Sequence, residues 1–263
     1  MESRRNFLKS IAAIGLESTL SGCVNYAHPE EKERIDPAAV ELLRRYQTDY
    51  KNHLVENHAK GIQYLQPYEF VLPREILEAM VILHRTNHPE QVMGFYKKKS
   101  PNKSKKDKFE EKLDQLNLEL NERIALQALF GFPQNILYKE EVFFRGIHPF
   151  VIRHERTHRY MHLFVSDAEH EILKQTYHKM EKDKTQLQSR IPDLNQLDGL
   201  IVHEGIILDN ELISYKFKYA FTNYEEFYAS LVEGLLLGIE TTLKEYDPKA
   251  YSIFTKIREA SQL

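Results

Sequence analysis

Apolar positions recur at helical spacing along most of this chain, and one denser run of β-branched and aromatic residues interrupts that rhythm. Asp36-Pro37 suits the start of a helix over 36–58, and a loop rich in Tyr and Pro leads to a second over 73–84. An amphipathic helix is predicted over 109–130, closed by Gly131-Phe132-Pro133, punctuation that marks a domain boundary. Residues 135–147 then read as a strand, broken by Gly146. Pro149 suits the first turn of a helix over 149–164, whose apolar stripe includes Val151, Ile152, Met161 and Leu163. A charged amphipathic run over 167–190 predicts another helix. Phe227, Leu231, Leu235 and Ile239 form the seam of one over 222–239, and a last helix spans 248–260. The expected fold is mostly α with a small β-sheet.

Inside the 149–164 helix stands His154-Glu155-Arg156-Thr157-His158. Residues i and i+4 of a helix share one face about one turn apart, so both imidazoles can reach one Zn²⁺. Glu155 leans toward the same ion, where it can take a proton from a water that the metal activates. This is the pattern expected at the core of a zinc-dependent peptidase. The strand before it is expected to edge the substrate cleft by pairing with an extended peptide.

A catalytic zinc needs a third protein ligand and an open position. A His six residues after His158 is one known solution, but position 164 is Phe164. His162 lies too far along a straight helix to share an ion with His154 and is expected to be solvated or hydrogen-bonded. A carboxylate from later in the chain remains: Glu204, Asp209, Glu211, Glu225, Glu226 or Glu233. Thr222 or Asn223 can cap the 222–239 helix. Glu226 sits beside its apolar seam, with Ala229 and Ser230 allowing close approach to the HExxH helix. A carboxylate there is costly to bury unless paired or metal-bound. Glu226 is the preferred ligand and Glu233 the second candidate, with Glu225 a solvated neighbour.

The segment Tyr219-Ala-Phe-Thr-Asn-Tyr-Glu-Glu-Phe-Tyr-Ala229 resembles the third-ligand block of the anthrax lethal factor-like zinc peptidases. The resemblance implies a zincin-like metallopeptidase domain in which His154, His158 and Glu226 bind Zn²⁺ and Glu155 is the general base. Tyr219 would supply the hydroxyl that stabilises the oxyanion. Two departures stand out. Thr157 occupies a place where that family usually has Gly, and the 167–190 run lengthens the spacing between the blocks. His203, between the blocks, is either a substrate-contacting or a structural residue.

The N-terminus carries a separate signal. Ser3-Arg4-Arg5-Asn6-Phe7-Leu8-Lys9 matches the twin-arginine export pattern, and a short apolar run leads to Leu20-Ser21-Gly22-Cys23, which resembles a lipobox. Cys23 is the only cysteine, which suits lipid attachment better than a disulfide. On this reading, 1–22 is a signal peptide, 23–35 a tether, 36–131 a helical N-terminal region and 132–263 the zincin-like domain. The protein would then be an exported lipoprotein at a bacterial cell envelope, acting on a peptide or protein, as an endopeptidase rather than an exopeptidase. The alternative is a cytoplasmic chain whose basic start is accidental.

Composition adds bounds. The net charge of −3 with 29% charged residues argues against nucleic acid as a partner. The tract from Lys97 to Lys108 reads as a solvated loop, or else as a basic patch for an anionic surface. Rival functions are a catalytically inactive zinc-binding lipoprotein, with a fourth protein ligand such as His162 or His203, and a metal-free interaction protein.

Overall fold

The computed structural model describes residues 66, 68–81, 92–131, 133–144, 148–190, 201–203, 206–208, 210–236 and 238–262. The signal-like segment 1–22, Cys23, the tether 23–35 and the expected helix 36–58 lie outside them. The elements are β1 (Glu69–Leu72), α1 (Arg74–Met80), β2 (Gly94–Lys97), α2 (Lys103–Asp114), α3 (Leu120–Gly131), β3 (Asn135–Lys139), α4 (Glu141–Phe144) and α5 (His148–Phe164). After these come α6 (Asp167–Lys182), α7 (Lys184–Gln188), β4 (Ile201–His203), β5 (Ile206–Leu208), α8 (Asn210–Ala220), α9 (Tyr224–Glu233), α10 (Ile239–Tyr246) and α11 (Pro248–Gln262). The chain is mostly helical with a small three-stranded sheet, as its patterning predicts; the antiparallel pair β4–β5 and helix α8 were not foreseen.

The strand order is β1-β3-β2, with β3 parallel to β1 and antiparallel to β2. A central strand is covered on both faces, which explains why β3 is dense in large residues and buried at every position. This corrects the expectation that 135–147 edges a cleft. Only Asn135–Lys139 is strand, a neighbour pairs with each of its sides, and the chain turns at once into α4. Among the described residues, the open edge near the HExxH helix belongs to β2.

One sheet face packs Phe70, Leu72, Phe95 and Leu137 against α1, α2 and α3. The other packs Val71, Ile136 and Tyr138 against Ile152 of α5. The far side of α5 enters a second core through Met161, shared with α6 and with α8 to α11. Gly94 is where β2 meets α5. A Cβ there would stand 2.9 Å from Tyr138 Cδ1 and 3.1 Å from Val151 Cγ1, so a larger residue would force strand and helix apart.

Two helix expectations and one loop expectation change. The 109–130 helix is two: α2 starts early because the Asn102 side chain accepts from Lys105 N, and the chain then folds back after Asp114. That reversal stacks Phe109 on Phe130, with ring centroids 3.9 Å apart. Lys97 to Lys108 is therefore not a solvated loop. Lys97 is a buried β2 residue whose Nζ donates to Leu129 O (2.8 Å) and Phe130 O (2.7 Å), carbonyls at the end of α3. Burial pushes its ammonium down to about 7. The 222–239 helix likewise stops at Glu233, because Gly234 takes the left-handed conformation that closes helices (φ 79°). Leu235 is buried outside α9, and Leu236 and Ile239 reach the same core as its apolar face.

The sheet holds α5 through charge as well as packing. Arg156 Nε and Nη2 donate to the two carboxylate oxygens of Glu69 at 2.7 and 2.8 Å, and Tyr138 Oη donates to the same group at 2.8 Å. All three residues are buried. Removing one partner of such a pair leaves the other charge desolvated and alone. Glu69→Ala should lower unfolding free energy by about 3–5 kcal/mol in denaturant titrations. A loss under about 1 kcal/mol would mean that apolar packing alone seats α5.

Candidate metal centre

Helix α5 is fixed on three sides before it presents any chemistry. The sheet grips Arg156, and α9 and α11 pack along the remaining faces. Thr157, the departure from the family's Gly, is fully buried against α11. Its hydroxyl lies 2.8 Å from Arg153 O and 3.0 Å from Ser261 Oγ, which in turn donates to Ile257 O. A side chain at 157 thus ties the two helices together.

On the α9 side the two histidines converge with one carboxylate. Glu226 Oε2 lies 3.0 Å from His154 Nε2 and 3.4 Å from His158 Nε2, and the two nitrogens are 3.1 Å apart. One ligand atom from each residue falls within 4.8 Å of the others, so the group can hold a metal ion. Asn223 caps α9 by accepting from Glu226 N (3.0 Å), which sets Glu226 in the first turn. Ala229 and Ser230 are fully buried, small enough for α9 to lie close to α5.

The competing carboxylates sort themselves by position. Glu225 turns to the rim, where its Oε1 accepts from Tyr224 Oη (3.1 Å) and pairs with Lys98 Nζ (3.4 Å). Glu233 lies behind His154, with Oε1 2.7 Å from Nδ1, an ion-pair contact rather than a well-aligned hydrogen bond. Lys216 Nζ donates to the same oxygen at 2.8 Å. Glu233 is therefore placed to orient a ligand rather than to be one. Glu204, Asp209 and the side chains of Glu211 and His203 lie outside the described residues. His162 accepts or donates at Nδ1 to Tyr96 Oη (2.6 Å), away from the centre.

Charge differentiates the carboxylates further. Burial alone would raise Glu226, but the imidazoles of His158 and His154 outweigh it and hold the carboxyl well below its usual range. Desolvation would lower His154, yet Glu226 and Glu233 on its two nitrogens bring it up to about 10. Carboxylates on both nitrogens make positive charge at this point favourable. Glu155 behaves oppositely: burial, helped by Glu226, raises its carboxyl despite His154, His158 and the Tyr96 backbone N–H. Burial and the neighbouring Glu226 and Glu155 also push the Tyr219 hydroxyl up, so it stays protonated and hydrogen-bonds to Glu226. The Tyr219 and His154 rings lie 5.9 Å apart.

Strand β2 completes the surroundings. Met93 O and Lys97 O accept from Lys139 N and Gln134 N on the β3 side. Backbone groups alternate sides along a strand, so those of Gly94 and Tyr96 point outward. Tyr96 N–H meets Glu155 on that outward edge. Sequence reasoning missed Lys216, Tyr96 and the orienting place of Glu233. The one available signal was helical spacing, which sets Lys216 beside Tyr219 and Glu233 two turns after Glu226.

The arrangement defines a candidate metal centre with a buried carboxyl, Glu155, and a tyrosine hydroxyl, Tyr219, beside it. No protein-family model, curated protein or solved structure matches this chain.

Metal analysis of purified protein checks the ligand assignment. Glu226→Ala should abolish stoichiometric binding and Glu225→Ala should leave it intact. Glu233→Ala should weaken affinity about 10–100-fold, the usual cost of losing an orienting partner. Binding that survives Glu226→Ala but not Glu233→Ala would exchange the two roles.

Proposed function

We propose that this chain is a zinc-dependent endopeptidase of the lethal factor-like, zincin type. The observation that carries the reading is the meeting of His154, His158 and Glu226 from two helices, with Glu155 and Tyr219 both beside the same carboxylate. Two imidazole nitrogens and one carboxylate oxygen suit Zn²⁺ and leave a position open, the pattern of catalytic rather than closed structural sites. When bound, the ion supplies Lewis acidity that polarises a peptide carbonyl and makes water a nucleophile near neutral pH.

The chain's own groups do the rest. Glu155, whose proton affinity is raised by burial, accepts a proton from the attacking water at its carboxylate and returns it to the leaving amine nitrogen. Tyr219 Oη, kept protonated by burial and the neighbouring carboxylates, would give a hydrogen bond to the oxyanion that develops on the carbonyl. Glu233 and Lys216 fix the His154 ring from behind. The outward edge of β2 offers backbone groups to an extended peptide, which would lie beside Glu155.

The N-terminal twin-arginine pattern and Cys23 support export and a diacylglycerol anchor, so the substrate would be met at a bacterial envelope surface. Among the described residues no helix is long and apolar enough to cross a membrane.

Glu155→Gln should keep the metal and lose about 10²–10⁴-fold in turnover of an unfolded protein substrate, read by release of new amino termini. Full activity in that variant would end the peptidase assignment. Tyr219→Phe should cost about 10²–10³-fold in kcat, again with metal content unchanged.

A further inference from the structure

We propose that the peptide taken by this site is acidic, its carboxylates bound by the lysines that follow strand β2. The inference rests on the peptidase reading and names the substrate class for it. Strand alternation puts Lys98 on the same side as Gly94 and Tyr96, the side of α5. Its Nζ lies 3.4 Å from Glu225 Oε1, on the residue next to the Glu226 ligand, with 46% of the side chain exposed. Lys98 therefore stands at the rim of the centre. Lys98 and Lys99 both also act electrostatically on His162, one turn beyond His158.

The chain concentrates positive charge here. Lys98, Lys99, Lys103, Lys105 and Lys106 occur with no acidic residue among them, in a protein of net charge −3. Three of these five open α2, whose first turn contains no acidic residue. A helix dipole disfavours cations at that end, so this placement weakens the helix rather than helping it. Lys99, Lys103 and Lys106 form no ion pair among the described residues. Lysines concentrated at a local cost, beside a strand edge that faces the metal centre, fit an anionic partner lying along that edge. Carboxylates spaced along an extended peptide match that geometry. Exposed ion pairs exchange at little individual cost, so Lys98 can release Glu225 to a substrate carboxylate. Selectivity arises from the summed field of the tract.

The test measures binding and cleavage separately, on the full-length protein. Fluorescence anisotropy of the Glu155→Gln protein would compare three labelled peptides of equal length, carrying clustered Glu, Gln or Lys. The Glu peptide should bind about tenfold more tightly than the Gln peptide at low salt, and the gap should close at roughly 0.5 M NaCl. Adding Lys98→Glu and Lys99→Glu should remove the preference, and the milder Lys98→Gln with Lys99→Gln should reduce it. Lys179→Glu with Lys182→Glu, at the far end of α6, should leave it as it was. Equal binding of the Glu and Gln peptides would overturn the proposal. So would a preference that persists after both rim lysines are reversed. Phosphatidylglycerol vesicles that bind through these lysines, with no peptide preference, would assign the tract to a membrane and overturn it too. Wild-type protein that binds zinc and cleaves neutral and acidic peptides equally defeats this inference alone. Protein that binds no zinc and cleaves nothing defeats the peptidase reading, while the anisotropy data still decide whether the rim selects acidic chains.

Discussion

The structure around the centre depends on one constraint: Glu226 is a half-buried carboxylate whose charge is offset chiefly by the two histidines of α5. Taking a carboxylate out of water is unfavourable unless a partner compensates. Its Oε2 lies within 3.4 Å of both imidazoles, so the contact ties α9 to α5 at the centre. Everything that tunes this contact becomes part of the site. Ala229 and Ser230 let the helices approach, Asn223 sets the register of the first turn, and Gly234 stops α9 just after Glu233.

Such a centre needs a rigid floor, and the sheet provides one. The Glu69–Arg156 pair originates on β1, 87 residues before its partner, yet it ends inside the HExxH pentapeptide. The two variable positions of that pentapeptide are thus structural: Arg156 seats the helix on the sheet, and Thr157 seats it on α11. Gly94 then lets β2 lie close enough for Tyr96 N–H to reach Glu155. The edge that could pair with a peptide and the base that would act on it are held by one short strand.

Sequence pattern conveyed those parts in which chemistry and helical periodicity coincide. His154, His158 and the α9 face with Glu226 follow from 3.6-residue spacing, and the structure brings them together. Strand order was not legible, because a central strand and an edge strand of similar composition differ only in what lies beside them. β3 carries the stronger strand signal because it is buried on both sides, whereas β2 is weaker and ends in lysines, so its pattern does not announce a strand. Lys97 shows the same limit: a lysine in a basic tract looks solvated until two helix-end carbonyls are found around it. Glu233 was legible as a buried acid near the centre, but choosing between ligand and orienting partner needs the side of His154 that it faces.

Three carboxylates surround two imidazoles here, and their environments separate their roles before any metal is considered. Glu226 faces both imidazoles and is held ionised, which suits a ligand. Glu233 is held ionised against its own burial by Lys216 and His154, which suits an acceptor that steadies a ring. Glu155 alone is driven toward protonation, by burial with Glu226 adding to it. Carboxylates whose proton affinities are pushed apart in this way divide into acid–base and electrostatic roles. The proposed roles of Glu155 as base and Glu226 as ligand are therefore supported by the charges that surround each, independently of the order in which they occur along the chain.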